Sequence, residues 1–115
     1  MRISSDHLRC LFLEETRDGG HPTFRFGVVV GRTVARAVDR NRIKRLVRES
    51  YRRNKFTHWQ NKFSPGSIQE KMITIVFMYK AGNTEKLRIP TYREIEAEVI
   101  DLLHKAASMI RMEPQ

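Results

Sequence analysis

Arg36, Arg40, Arg42, Arg45, Arg48, Arg52 and Arg53, with Lys44 and Lys55 among them, return a cation every few residues along one stretch of the chain. A guanidinium presents forked N–H donors that match two oxygens of one phosphate, and it stays charged at any ordinary pH. From Arg32 to Lys55, eight arginines and two lysines face only Asp39 and Glu49, so these 24 residues carry +8 of the net +9. The other 91 residues hold 12 basic and 11 acidic side chains and are close to neutral. The charge is therefore local, as on a surface that meets polyphosphate. An ordinary exposed helix offsets its charges with ion pairs one turn apart; here counter-charges are too few, and the self-repulsion calls for a neutralising partner. A nucleic acid is the partner class these residues indicate.

No comparable constellation points to catalysis by the chain itself. His7, His21, His58 and His104 are scattered, without the spacing of a metal site or of a paired acid and base, and read as surface residues. Glu94, Glu96, Glu98 and Asp101 have a spacing that could hold a metal on a helix, but a solvated polar face accounts for them more simply. Gly27 and Gly31 lack the remainder of a phosphate-cradling loop. Cys10 is the single cysteine, so the fold needs no disulfide; its place in an apolar run makes it a small core side chain. No catalytic and no metal-ligating residue is expected.

The basic run must be positioned by a fold, and 115 residues suffice for a single domain with one modest core, here residues 1–115. With 40% apolar and 30% charged residues the composition is that of a globular chain. Nothing approaches the ~20 apolar residues of a membrane span, and the first residues lack the apolar centre of a signal peptide, so a cytoplasmic protein is expected. His7 to Leu13 reads as a strand with Leu8, Cys10 and Phe12 on one side. Phe24 to Val30 reads as a second, with Phe24, Phe26, Val28 and Val30 on one face and Arg25, Gly27 and Val29 on the other. Asp18-Gly19-Gly20 is a turn signal between them, and the two are expected to pair as a hairpin.

Beyond Ala35 the period lengthens. Ile43, Leu46, Val47, Ser50 and Tyr51 gather on one side of a helix, with Asn41, Lys44, Arg45, Arg48 and Arg52 on another. Asp39 is the expected helix start. Phe56, Trp59 and Phe63 either extend that helix or pack over it, and Ser64-Pro65-Gly66-Ser67 marks a loop. Lys71 to Tyr79 is apolar on both faces and belongs inside a sheet, and Lys80-Ala81-Gly82-Asn83 turns the chain. Thr91-Tyr92-Arg93-Glu94 fits a capping box that opens a last helix, whose apolar face runs from Tyr92 through Ile95, Val99, Leu102, Leu103 and Ala106 to Ile110. The expected class is α+β, an α/β sandwich: a small central sheet of about four strands with helices packed on it.

In Gly27-Val28-Val29-Val30-Gly31-Arg32, and then in Ala37-Val38-Asp39-Arg40-Asn41-Arg42-Ile43-Lys44-Arg45-Leu46-Val47-Arg48-Glu49-Ser50-Tyr51, the chain resembles the bacterial ribonuclease P protein family. That family opens a helix with Arg-Asn-Arg after a strand and a short turn. The likeness extends over about Leu8 to Ile110 and is faint from Lys55 to Lys71. It implies a left-handed strand–helix–strand crossover, where elementary rules expect a right-handed one. It implies further that an RNA is the catalyst and the protein a subunit that binds it, assisting removal of the 5′ leader from precursor tRNA. Carried over by position, Arg32, Arg40, Asn41, Arg42, Lys44, Arg45 and Arg48 would contact the RNA, with Arg36 and Arg52 as weaker candidates.

The partners implied are the ribonuclease P RNA and precursor tRNA, with no membrane and no obligatory protein partner. No cofactor is implied for the protein alone; Mg2+ is expected in the holoenzyme, on RNA and substrate phosphates. Family members usually begin with a further basic and aromatic helix that walls a cleft for the single-stranded leader against the sheet. That helix is expected to be absent here, leaving the leader site altered and the sheet's apolar face exposed or covered by a second copy. Phe12, Phe24 and Phe26 qualify by type for stacking on leader bases, but core packing is the first expectation for each, since a domain this small needs its aromatics inside. An alternative is a stand-alone module with the basic helix on duplex DNA or structured RNA; another is a protein nuclease using the carboxylates of the last helix.

Overall fold

Side chains that alternate between core and open face build a four-stranded sheet, and two amphipathic helices cover one of its faces. The computed structural model describes residues 1–16, 23–63, 71–80 and 89–111. Its elements are β1 (Arg2–Ser4), β2 (Leu8–Thr16), β3 (Thr23–Val30), α1 (Ala37–His58), a 3-10 turn (Gln60–Lys62), β4 (Lys71–Tyr79) and α2 (Tyr92–Arg111). The sheet order is β1-β2-β4-β3. β2 runs antiparallel to β1 and to β4, with Cys10 opposite Phe77 and Phe12 opposite Ile75; β3 runs parallel to β4, with Phe26 opposite Ile75 and Val28 opposite Phe77.

This order corrects the expected hairpin, because β2 and β3 are separated by β4. The physical reason lies in β4, whose two apolar faces favour a place with a strand on either side. Helix α1 supplies the long crossover that parallel β3 and β4 require. The turn signals at 18–20, 64–67 and 81–83 fall outside the described residues.

Leu8, Cys10, Phe12, Ile73, Ile75 and Phe77 turn to the covered face and are buried. Above them lie Ile43, Val47 and Tyr51 of α1 and Ile95, Val99, Leu102, Leu103, Ala106 and Ile110 of α2. Each large aliphatic or aromatic side chain buried in this way contributes roughly 1.5–3 kcal/mol before the entropy of ordering the chain is set against it. Helix α1 packs along β3 and α2, while α2 also lies on β1 and β2.

Local chemistry fixes the helix ends. The capping box at α2 forms: the Glu94 N–H donates to Thr91 Oγ1 at 3.2 Å, and the Thr91 N–H donates to Glu94 Oε1 at 3.3 Å. Helix α1 starts two residues before the expected Asp39, with Arg36 as its N-cap and no side chain capping the first amides. Asp39 sits in the first turn instead, where its charge still favours the helix dipole. Phe56 lies within α1 and is 68% exposed, whereas Trp59 and Phe63 fold back into the core.

The helices are tied together by polar contacts. Asn54 Nδ2 donates to Glu96 Oε2 at 3.0 Å, the Tyr92 hydroxyl donates to the same oxygen at 3.1 Å, and the Arg53 guanidinium lies over the Tyr92 ring. His58 Nδ1 meets His104 Nε2 at 2.8 Å. Glu98 accepts the His7 backbone N–H at 2.7 Å and also engages the His7 ring and the Ser5 hydroxyl, binding the β1–β2 turn to α2. Glu96 and Glu98 are thus structural ties rather than a solvated face, and His7, His58 and His104 are partnered rather than free at the surface. No described helix is long and apolar enough to cross a membrane.

Candidate nucleic-acid interface

Burial of Ile43, Val47, Ser50 and Tyr51 sets the rotation of α1 about its axis and turns the opposite side to solvent. Asn41, Arg45, Arg48, Arg52 and Lys55 are all exposed and follow one another at steps of four, three, four and three residues. They form one stripe ~21 Å long at the helical rise per residue. Arg42 is exposed on one flank and Lys44 is half-buried on the other. Arg32 is exposed in the loop that leaves β3, and Arg36 stands exposed at the helix entry.

Besides Arg53 over the Tyr92 ring, two further members of the basic run are partly engaged by the protein. Arg40 is half-buried, and its Nη1 donates to the carbonyl oxygens of Val34 and Ala35 at 2.8 and 3.0 Å. It therefore holds the loop before α1, a role its place in the Arg-Asn-Arg motif did not disclose. Arg52 donates to both oxygens of Glu49, at 3.0 and 2.6 Å, which holds the Glu49 carboxyl below its usual range. An intrahelical ion pair does form after all, because the anion lies three residues before its cation on an otherwise basic surface. Arg42, Arg45 and Arg48 have no hydrogen-bonded or ionic partner among the described residues.

The three candidate stacking residues lie on the helix-covered side of the sheet. Phe12 is 4% exposed in the core. Phe24 meets Trp59 edge-on at 6.1 Å between ring centroids, and Phe26 stacks on Tyr51 at 4.0 Å, both on the helix-covered side of the sheet. Alternation put them on the same face as the core, so none of the three can serve the open face.

That open face belongs to the other half of the strand pattern. Leu11, Leu13 and Val29 are exposed there, next to half-buried Arg9, Gly27, Met72, Thr74, Val76 and Met78. Val76 lies opposite Leu11 on one side and Gly27 on the other. Arg25 reaches over Met72, and the buried Nε of Arg9 finds no hydrogen-bond partner. An apolar strip edged with guanidinium groups thus runs across the sheet, on the side away from the helices.

Comparison with known proteins decides the family: a family model described as ribonuclease P matches residues 1–107. The chain belongs to the ribonuclease P protein family. It is 34% identical over 82 residues to the ribonuclease P protein component of Clostridium botulinum (strain Loch Maree / Type A3), a match covering 71% of this chain and 61% of the relative. It is 37% identical over 84 residues to that of Clostridium novyi (strain NT), covering 73% and 61%. The match thus spans about three fifths of the length of these relatives. Among solved structures, the fold is shared with the RNase P protein from Thermotoga maritima (TM-score 0.63, 23% identity, 91% of this chain and 82% of that one). It is shared as well with the Staphylococcus aureus RNase P protein (TM-score 0.58, 20% identity, 93% and 80%).

The region matched by the ribonuclease P family model includes the whole of α1 and the four strands of the sheet. Arg9, Arg25 and the apolar residues between them escaped the reading of the sequence. Their signal was present in the alternation of β2 and β3, but periodicity does not say which face receives the helices. Cys10 lies fully buried in β2, and burial pushes its thiol up to about 12, so it carries no thiolate chemistry.

Proposed function

We propose that this chain is the protein subunit of a ribonuclease P holoenzyme, binding the catalytic RNA through α1 and assisting removal of the 5′ leader from precursor tRNA. The observation that carries the reading is the exposed stripe from Asn41 to Lys55, flanked by unpaired Arg42, on a chain of this family. Packing locks the helix rotation, so the basic stripe faces outward before the RNA arrives, and what remains to be ordered on binding is the exposed side chains themselves. Their contacts fall on phosphates and sugars, which give affinity and register without sequence preference.

The leader, on this reading, lies across the open sheet face. Arg9 and Arg25 would take its phosphates, while Leu11, Leu13, Val29 and Val76 offer apolar contact to unpaired bases. Among the α2 carboxylates, Glu96 is engaged by Asn54 and Tyr92, and Glu98 by Ser5 and His7, which favours a structural role for both. Mg2+ would be held by RNA and substrate phosphates, supplying charge neutralisation at the reacting phosphate, and the chain's part is to orient the strands around it. Such maturation of transcripts takes place in the cytoplasm.

The test is cleavage of a precursor tRNA at low magnesium by the matching ribonuclease P RNA, by this protein, and by the two together. Activity is expected in the mixture well above that of RNA alone, and none from the protein. Cleavage by the protein without RNA would overturn the assignment of catalysis to the RNA. A mixture no better than RNA alone would overturn the subunit reading.

A further inference from the structure

A cavity of about 390 Å3 opens between β3 and the second half of α1. Its volume falls in the range of about 300–1,000 Å3 common to small-ligand sites. Phe24, Phe26 and Tyr51 form its apolar part, and Arg48, Arg52 and Lys55 stand around it one helical turn apart. It faces away from the open sheet surface, because Phe24 and Phe26 alternate with Arg25 and Gly27 along β3. We propose that this cavity is a nucleotide subsite, taking one unpaired base and its phosphate from an RNA strand.

The aromatic part is rigid. Phe26 stacks on Tyr51 with 9° between the ring planes and 4.0 Å between centroids, and also packs against Phe77 at 6.0 Å. Phe24 is held by Trp59 and by Phe63, the latter at 5.8 Å. Both phenylalanines are only half-buried, so ring edges remain available to a flat ligand. Gln60 adds an amide that can pair with a base edge.

The cationic part is set in advance. Glu49 fixes the Arg52 guanidinium through two hydrogen bonds, while Arg48 and Lys55 keep no ionic partner among the described residues. Aromatic surface beside cations that follow a backbone is the combination by which single strands are held. A free anion would use the cations and leave the rings idle; an apolar ligand would do the reverse. This inference rests on α1 facing RNA, and it adds a base contact to what would otherwise be phosphate contacts alone.

Trp59, the single tryptophan, touches Phe24 and reports on the cavity. The full chain would be titrated at low salt with a trinucleotide of adenylate and with an abasic trimer carrying the same phosphates, following Trp59 fluorescence. The adenylate trimer is expected to bind about tenfold more tightly. Equal affinities for the two trimers would overturn the proposal, and this comparison requires no variant. In Phe24→Leu, which keeps the charges and an apolar side chain, the preference should shrink to about twofold or less.

Two further arms identify the source of the nucleotide. Weaker assembly of Phe24→Leu with the ribonuclease P RNA would assign it to that RNA. A raised KM confined to leader-bearing precursor tRNA would assign it to the substrate. No change in either arm, with the variant folded, would overturn the use of the cavity in the holoenzyme. The subunit reading would then stand on the cleavage experiment by itself.

Discussion

Arg40 and Arg45 carry the same side chain five residues apart and are held differently. Arg40 donates to two backbone carbonyls of the loop before α1, and Arg45 projects from the helix with no partner among the described residues. Hydrogen bonds from a charged donor contribute about 1.5–3 kcal/mol when buried, and half-exposure brings the figure for Arg40 to about 1 kcal/mol. Arg40→Ala should therefore lower the free energy of unfolding in urea by about 1 kcal/mol, whereas Arg45→Ala should change it by less than ~0.5 kcal/mol. Both should weaken RNA binding. Equal stability of the two variants would remove Arg40's role in holding the loop and return it to the RNA-facing set alone.

Elements explain what the sequence disclosed and what it did not. The period of two in Phe24–Val30 and Lys71–Tyr79 and the longer period from Ile43 to Tyr51 were legible, because each is set by neighbours within a few residues. The insertion of β4 between β2 and β3 was not, since strand order depends on partners far along the chain. Periodicity also left the covered face undecided: Phe12, Phe24 and Phe26 share a face, and only the finished structure shows that α1 and α2 lie over it.

The basic face of α1 was legible for the opposite reason, being contained in a single helix. Its energetic signature should be the salt slope of RNA binding. The triple substitution Arg42→Ala, Arg45→Ala and Arg48→Ala spares Arg40 and so leaves the loop anchored. If each arginine neutralises one phosphate, the slope of log affinity against log salt should flatten by about 2–3. An unchanged slope in a folded triple variant would place the RNA elsewhere. The far end of α1 has a pH response of its own. Burial, helped by Lys62 and His58, holds His104 below the usual imidazole range, while Asp101 opposes the shift and Lys105 lies nearby. The folded state then binds its proton less readily than the unfolded chain. The stability associated with His104 is present above its unfolded value near 6.5 and falls as pH drops below it towards the lower folded value. His104→Gln should flatten the stability–pH curve on that acid side, and an unaltered curve would assign the acid loss to other groups.

Taken whole, the molecule concentrates nearly all of its excess charge in the 24 residues from Arg32 to Lys55, most of them in one helix, while the remainder is close to neutral, and this has opposite consequences for folding and for binding. Repulsion among neighbouring cations of α1 raises the free energy of the folded chain, and only Glu49 and the first-turn Asp39 offset it within the helix. Added salt screens that repulsion over a Debye length of ~10 Å at 0.1 M, so the isolated protein should become more stable as salt rises. The same salt should weaken its hold on RNA, because each counterion released on binding gains less entropy in a saltier solution. Each kcal/mol of recovered stability should appear as a rise of about 4 °C in Tm for a chain of this size. The triple α1 variant should start at a higher Tm in low salt than the unaltered chain and gain less from added salt, since its repulsion is already reduced. Thermal unfolding of the two proteins across a salt series distinguishes this from a general salting effect, which would raise both curves in parallel. Parallel curves would mean that the stripe on α1 is tolerated without strain, and the argument that its repulsion awaits a polyanion would lose its thermodynamic basis.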